Sequence, residues 1–269
     1  MNNLHRHLAP ISERAWEQIE EEASRTLKRH LAARRVVDVP EPKGLALSAV
    51  GTGHLKDIAS PSDGIQAAQR EVRALVELRV PFVLSRQQID DVERGALDAD
   101  WSPVKDAACT IAFAEDRAVF DGYAAAGIRG IRETSSNAKL VLPANARAYP
   151  AAVARAVGEL RLAGCDGPYT LVLGADAYTA ATGGSDDGYP VFHHIEQMAD
   201  GGVFWAPAIK GGCVLTTRGG DFELDIGQDL SIGYLSHTST TVDLYFLETF
   251  TFRVLTSEAS VVLAAAKPQ

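Results

Sequence analysis

Cysteine is scarce in the chain, which has only Cys109, Cys165 and Cys213, and none of them forms a C-x-x-C pair. This scarcity excludes a disulfide framework and indicates a reducing compartment. No stretch approaches the roughly 18 consecutive apolar residues that a membrane-spanning helix requires, and the N-terminal segment Met1–Pro10 lacks the apolar core of a signal peptide. The sequence therefore predicts a soluble protein of the cytoplasm.

The chain has fewer basic residues than acidic residues. The chain has 26 Lys and Arg against 35 Asp and Glu, a formal net charge of -9. Contacts to phosphates require a surplus of Lys and Arg, so this balance argues against a nucleic-acid partner. The hydrophobic fraction of 46% is ordinary for a folded protein and excludes intrinsic disorder.

Motifs for nucleotide binding and nucleophilic catalysis are missing as well. No G-x-x-x-x-G-K-[ST] segment occurs, and no G-x-G-x-x-G follows a strand pattern and opens a helix. A serine hydrolase requires G-x-S-x-G, whereas the glycine-rich segment 183–188 has the wrong spacing and the composition of a flexible loop. The cysteines lie in apolar or turn contexts that are typical of buried structural thiols. We therefore expect no catalytic residue.

Two charged clusters are the remaining places for metal or acid–base chemistry. His193 and Glu196 have the i, i+3 spacing of helical metal ligands, but no second pair lies near them in sequence. Asp90, Asp91 and Glu93 lie between Arg86 and Arg94, just before a glycine, which is typical of a solvated, salt-bridged connection. We expect neither cluster to bind metal or to catalyse a reaction.

Helix patterns dominate the first two thirds of the chain. Ser12 can cap a helix over about residues 12–33, where apolar residues recur at three- and four-residue steps. A second helix from Pro103 to about residue 126 would be a rod of roughly 36 Å. Proline and glycine punctuate residues 36–65. A loop of that length is uncommon in a compact domain, so we expect an arm that packs on a neighbouring subunit.

Strand patterns dominate the last quarter. Residues 222–226 alternate apolar and acidic side chains, and residues 241–255 continue the alternation over a longer run. Glu248 falls on the apolar positions of that run. A charged residue there requires a partner, or it lies at a bend or bulge of the strand.

An ordered set of motifs resembles the family 1 encapsulin shell proteins, most closely the actinobacterial, mycobacterium-like members. The resemblance spans nearly the whole chain and is most specific toward the C-terminus. The motifs are Asn3–Ile11 with Trp16 and Ile19, Arg34–Val39, Glu77–Arg79, Ile89–Gly95, Gly167–Tyr169, Gly188–Pro190, Thr217–Phe222, Gly227–Tyr234 and Glu248–Phe252.

The resemblance implies an α+β fold like that of the HK97 phage major capsid protein, with a P domain, an A domain and an extended E loop. It divides the chain into an N-terminal helix region of the P domain (1–40), the E loop (41–75), the P domain with its spine helix (76–130), a mostly A-domain segment (131–221), and P-domain strands with the C-terminus (222–269). Such a subunit forms homo-oligomers. These are closed icosahedral shells, which most simply contain sixty copies.

The resemblance also implies a function, which is to enclose a cargo enzyme in the bacterial cytoplasm. The shell subunit is itself no enzyme, and cargo docks through a C-terminal targeting peptide. A dye-decolourising peroxidase is the implied cargo and a ferritin-like protein the second choice, with the oxidative-stress and iron-storage roles that these imply. Neither a membrane nor a nucleic acid is an expected partner.

A peptide groove is implied between the first helix and the P-domain sheet. Arg34 and Asp38 would bind polar groups of the peptide, and the aliphatic residues would contact its leucine or isoleucine side chains. The alternative is that these residues form only P-domain core and inter-subunit ion pairs. The candidates are Leu8, Ile11, Leu31, Arg34, Val36, Asp38, Ser231, Ile232 and Tyr234.

Five-fold pores in the family are lined by an A-domain loop, which resembles the segment Gly183, Gly184, Ser185, Asp186, Asp187 and Gly188. Repeated around an axis, the two aspartates would form a ring of carboxylates that favours small cations and neutral solutes. The alternative is that the loop is acidic for solubility alone.

Some members of the encapsulin family bind a flavin against a tryptophan. The matching position here is about Ala67, so we expect no flavin and no other cofactor.

Two other function classes compete with the shell. A prophage major capsid protein would share the fold and package DNA, but the net charge of -9 and the motif with Arg34 and Asp38 disfavour it. An enzyme would require a nucleophile and base, and the chain offers no such constellation.

Overall fold

The computed structural model describes residues 3–266. Within that range the helices are α1 (Glu13–His30), α2 (Arg86–Glu93), α3 (Ser102–Phe120), α4 (Ile131–Thr134), α5 (Tyr149–Leu162), α6 (Ala175–Gly183) and α7 (Val191–Glu196). The strands are β1 (Ala49–Ile58), β2 (Ala67–Ala74), β3 (Val76–Ser85), β4 (Leu140–Leu142), β5 (Tyr169–Leu173), β6 (Ser185–Asp186), β7 (Tyr189–Pro190), β8 (Gly202–Trp205), β9 (Gly212–Thr216), β10 (Phe222–Ile226), β11 (Ser231–His237), β12 (Thr241–Val254) and β13 (Ser260–Ala265).

The long strand β12 is the centre of the first sheet. β3 pairs antiparallel with one edge of β12, from Val76 opposite Phe250 to Ser85 opposite Thr241. β10 and β11 pair with the other edge, one after the other. The second edge is therefore interrupted between them, at residues 227–230.

Helices α1 and α3 pack against this sheet in one hydrophobic core. The Ser12 hydroxyl caps α1 by accepting a hydrogen bond from the N–H of Ala15 at 3.3 Å. The apolar stripe predicted from the sequence is the face that α1 buries against α3 and the sheet. Its buried members and their partners include Ala15, Ile19, Ala23, Val104, Ala107, Ala108, Ile111, Val242, Leu244 and Phe246.

Helix α3 ends at Phe120, six residues before the predicted end. Gly122 follows in the left-handed region, with φ +94°, and a Cβ there would lie 3.0 Å from the backbone nitrogen of Gly130. The chain must therefore turn sharply and approach itself closely at this point, which a continued helix would prevent. A short 3₁₀ turn, Ala124–Ala126, replaces the last predicted helical turn.

The second sheet has five strands in the order β4-β13-β9-β5-β8. It is mixed, since β13 runs parallel to β4 and antiparallel to β9. The division suggested by the resemblance assigned residues 222–269 to the P domain. The structure splits this range, with β10, β11 and β12 in the first sheet and β13 in the second. Val261, Val262 and Leu263 are all buried, as in a strand covered on both faces.

The punctuated segment forms an arm, as the sequence predicts. β1 and β2 pair as an antiparallel hairpin whose register shifts between Gly51 and Leu55. The residues of this hairpin are mostly exposed, including large apolar side chains.

Residues 86–93, interpreted from the sequence as a solvated connection, form α2, which buries Ile89 and Val92. No helix within residues 3–266 is long and apolar enough to cross a membrane.

Candidate functional site: a groove beside the first helix

A groove with a cavity volume of about 590 Å³ runs between α1 and the first sheet. Ala23 and Leu27 of α1 lie on one side, and Ile232 and Phe246 of the sheet lie on the other. The full lining is Leu4, Arg6, Glu20, Ala23, Ser24, Leu27, Lys28, Leu31, Arg34, Arg35, Asp229, Leu230, Ser231, Ile232 and Phe246.

Local sequence explains why the space stays open. Ala23 and Ser24 are the residues that α1 presents midway along the groove, and their short side chains cannot reach across it. The N-terminal segment closes one side, because the Leu4 carbonyl accepts a hydrogen bond from the N–H of Tyr234 at 2.8 Å. The interruption of the sheet edge at residues 227–230 opens the other side.

Four of the predicted groove residues meet here: Leu31, Arg34, Ser231 and Ile232. The prediction left out Leu4, Ala23, Leu27, Leu230 and Phe246, which supply most of the apolar lining. The sequence held a signal for two of them, because Ala23 and Leu27 belong to the apolar stripe of α1. That stripe was interpreted as core alone.

The other predicted residues lie elsewhere. Leu8 is in the 3₁₀ turn Arg6–Leu8 with 55% of its surface exposed, and Ile11 borders a separate cavity beside Trp16. The Tyr234 hydroxyl is 2.6 Å from Nδ1 of His237.

Val36 and Asp38 depart from the prediction because the chain leaves the groove after α1 and runs alongside β10, where Asp38 pairs with Glu223. Val36 is 3% exposed and packs in a core that contains residues of both sheets. The Asp38 carboxylate accepts a hydrogen bond from the N–H of Gly220 at 2.6 Å, and it borders a separate small cavity of about 110 Å³. Asp38 therefore orders the 218–221 turn.

Arg34 lies at one end of the groove and binds three carboxylates. Its Nε donates to Glu115 at 2.9 and 3.0 Å, and its Nη1 donates to Asp229 at 2.8 Å. Its Nη2 donates to Glu115 at 2.7 Å and to Glu248 at 2.5 Å. The side chains of Glu115 and Glu248 are 0% exposed. Glu248, anomalous in the strand pattern, thus has its partner, and the guanidinium predicted to bind a peptide is already engaged.

Burial and neighbouring charge set the protonation of this cluster. Burial opposes the charged guanidinium, but the carboxylates of Glu115, Glu248 and Asp229 outweigh it, so the pKa of Arg34 is raised. Burial, together with the neighbouring charge of Glu115, raises the pKa of Glu248 well above its ordinary value, which favours the protonated form of Glu248.

A fourth carboxylate lies next to the cluster. Asp116 accepts hydrogen bonds from the N–H groups of Ala32 at 3.1 Å and Ala33 at 2.9 Å, and so it holds the 3₁₀ turn that carries Arg34. Burial raises the pKa of Asp116 to about 7, although these two hydrogen bonds act in the opposite direction. Arg34 is thus positioned by its own ion pairs and by the turn that Asp116 caps.

We expect Glu248→Gln to weaken the pH dependence of stability. Because the pKa of Glu248 is raised in the folded state, its contribution is complete below its ordinary pKa and is lost as the pH rises through the raised value. The wild-type melting temperature should therefore fall as the pH rises above the ordinary pKa of a glutamate, and that of the variant should fall less. The raised pKa of Asp116 contributes the same pH dependence of stability to the wild type and to the variant. Glu133→Gln, at a half-exposed side chain, is the control, and parallel curves for wild type and Glu248→Gln would contradict the assignment.

The predicted pore segment is more ordered than a flexible loop. Gly183 is the last residue of α6, and the strands β6 and β7 pair as a small hairpin. Asp187 and Gly188 form its turn with φ of 46° and 87°, the geometry that an Asp-Gly pair favours. The side chains of Asp186 and Asp187 are exposed at the tip.

The clusters considered for metal or catalysis stay apart from the groove. Nδ1 of His193 is 3.7 Å from Oε2 of Glu196, and Arg94 pairs with Asp91 on the surface. No group of three or more potential metal ligands occurs among residues 3–266. Burial raises the pKa of the Cys213 thiol to about 12, which leaves it protonated and unreactive at neutral pH.

Comparison with known structures identifies the class of protein. A virus-like particle from Pyrococcus furiosus is similar with a TM-score of 0.68 at 17% sequence identity, over 92% of this chain and 98% of that chain. The capsid of Myoviridae phage XM1 is similar with a TM-score of 0.54 at 12% identity, over 87% of this chain and 91% of that chain. The fold is therefore the HK97-like α+β fold of capsid subunits, as expected.

Comparison of sequences identifies the family. Residues 1–251 match the family Linocin_M18, described as encapsulating protein for peroxidase. The type 1 encapsulin shell protein of Rhodococcus erythropolis is 59% identical over 264 residues, which cover 98% of this chain and 100% of the relative. That of Mycobacterium tuberculosis is 56% identical over 264 residues, again 98% and 100%. The chain belongs to this family of encapsulin shell proteins, and its role is that of a structural subunit, not an enzyme.

Proposed function

We propose that this shell subunit encloses a peroxidase in the bacterial cytoplasm, and that the peroxidase docks through a C-terminal peptide in the groove beside α1. The observation that carries the proposal is the groove itself, a largely apolar cavity of about 590 Å³. The family description names a peroxidase, which favours that cargo over a ferritin-like protein. Prophage DNA packaging has no comparable support, because the net charge is -9.

The dimensions and chemistry of the groove suit a short peptide. Leu27, Leu31, Ile232 and Phe246 offer aliphatic and aromatic surface to leucine or isoleucine side chains of the peptide. Burying one such side chain contributes about 1.5–3 kcal/mol, so two or three contacts are enough for specific docking. Ser231 also lines the groove, but its hydroxyl already donates to the Asp229 carbonyl at 2.7 Å and accepts from Nε2 of Gln228 at 2.8 Å.

We expect Ser24→Trp to prevent cargo loading while shells still form. Ser24 is exposed and lines the groove, so an indole there fills the cavity without entering the core. The measurement is mass spectrometry of shells purified from the host, with the amount of peroxidase per shell compared to wild type. Glu21→Trp is the matched control, because Glu21 is exposed on α1 but does not line the groove. Equal loading in Ser24→Trp shells would reject the groove as the docking site.

The division into domains and the assembly belong to the same proposal. We take the first sheet with α1 and α3 as the P domain, α3 as its spine helix, the β1–β2 hairpin as the E loop, and the second sheet as the A domain. Sixty such subunits would form the smallest closed icosahedral shell. Particle mass measured for intact shells tests that number directly.

The hairpin of β6 and β7 is our candidate for lining the five-fold pore. Its exposed tip carries Asp186 and Asp187, and copies around an axis would form a ring of carboxylates that attracts small cations. We expect the double variant Asp186→Asn, Asp187→Asn to slow the entry of a cationic substrate into loaded shells more than that of a neutral one. Asp176→Asn is the control, and an equal effect on both substrates would contradict the assignment.

A further inference from the structure

Four cations line the groove, and two of them pair with carboxylates. Arg6 pairs with Glu20, and Arg34 pairs with Glu115, Asp229 and Glu248. The two other cations of the lining are Lys28 and Arg35, and neither has a carboxylate within ion-pair distance among residues 3–266. Both side chains are exposed.

These two cations lie together at one end of the groove. Nη2 of Arg35 donates a hydrogen bond to the backbone carbonyl of Lys28, which holds the guanidinium beside the last turn of α1. Lys28 is in that same turn, where the negative end of the helix dipole favours positive charge. Both cations therefore suit the end of the helix, and both are exposed without a paired carboxylate in the part of the chain that the structure describes.

The positions along α1 give the groove a direction. Glu20, Ser24 and Lys28 follow one another at four-residue steps and so lie on one face of the helix. Glu20, paired with Arg6, is separated from Lys28 by about 12 Å at 1.5 Å per residue. The apolar lining lies between these ends. An extended peptide covers that distance with about three to four residues at 3.3 Å each.

We propose that Lys28 and Arg35 form a cationic anchor that binds an aspartate or glutamate side chain of the docked cargo peptide, within about four residues of its aliphatic contacts. This inference rests on the proposed function, because it assigns the chemistry of one end of that groove. Charge complementarity supports an acidic side chain as the occupant. The anchor would orient the peptide, because only the Lys28 end of the groove offers unpaired cations to the carboxylate of the peptide, whereas Arg6 at the Glu20 end is already paired.

Competitive loading tests the anchor. Two fluorescent reporters of different colour are co-expressed with the shell, one with the C-terminal segment of the co-purifying peroxidase and the other with the same segment after Asp→Asn and Glu→Gln substitution. We expect wild-type shells to prefer the acidic segment by about three- to tenfold, the size of two exposed ion pairs. Lys28→Gln with Arg35→Gln should bring the ratio to about one. Arg14→Gln with Arg29→Gln, which removes the same charge from exposed positions outside the groove, should leave it unchanged.

The other outcomes separate this inference from the proposed function. If neither reporter enters wild-type shells, peptide docking itself is rejected. If both enter equally, or if the segment contains no acidic residue near its aliphatic residues, docking stands and the anchor is overturned. Equal preference in wild-type and Lys28→Gln, Arg35→Gln shells also overturns it, because the acidic residue then binds elsewhere.

Discussion

Arg34→Ala is expected to destabilise the subunit by about 3–5 kcal/mol, because it removes the cation that compensates the buried charge of Glu115 and hydrogen-bonds to the buried Glu248. Glu115 and Glu248 are 0% exposed, so water cannot replace the guanidinium. Loss of the ion pair with Asp229 costs less stability, because 46% of that side chain is exposed and water can solvate its carboxylate. The measurement is the midpoint of denaturant unfolding for dissociated subunits. A cost of this size is a large fraction of the total stability of most domains.

The control and a rescue variant make this prediction specific. Arg129→Ala removes an arginine whose pair with Glu133 is largely exposed, and it should cost less than about 1 kcal/mol. Replacement of Arg34, Glu115 and Glu248 together, by Arg34→Met with Glu115→Gln and Glu248→Gln, should recover most of the lost stability, because the buried charges of these three side chains are removed at once. A similar cost for Arg34→Ala and Arg129→Ala would contradict our description of the cluster.

Shortening the β1–β2 hairpin is expected to abolish shell assembly and leave the subunit folded. An isolated two-stranded hairpin is at best marginally stable in water, so an exposed one requires packing from a partner. This hairpin also exposes large apolar side chains, with Leu55 at 66% and Val72 at 56%. Several exposed large apolar side chains on one hairpin indicate an interface. Replacing residues 52–71 with a short Gly-Ser turn should therefore yield subunits without closed shells in electron micrographs.

Point substitutions test the same prediction with less disruption to the hairpin. Leu55→Ser together with Val72→Ser should reduce the yield of closed shells, because apolar contact area is lost. Gln69→Ala, at an exposed polar position of β2, should leave the yield unchanged. Circular dichroism of each variant checks that the subunit is folded. Closed shells in normal yield after hairpin shortening would show that the arm does not carry the assembly.

The groove was only partly predictable. Leu31, Arg34, Ser231 and Ile232 line it as the resemblance implied. Val36 and Asp38 follow Arg34 within four positions, yet the chain turns after the 3₁₀ segment and carries Asp38 away from the groove to β10. Sequence proximity cannot reveal such a turn. The apolar stripe of α1 was visible, but its pattern alone cannot distinguish side chains in the core from side chains that line an open cavity.

The sequence by itself determined the elements whose pattern is local. Apolar periodicity and a serine cap define α1, alternation defines β12, and the density of proline and glycine excludes a compact domain from the arm. Tertiary structure alone decided the rest. Arg34 meets Glu115 and Glu248 across 81 and 214 positions of sequence, and β13 joins the second sheet after β12 completes the first. The physical reason is that buried charges and buried strands are stabilised by distant partners, which no local pattern of residues records.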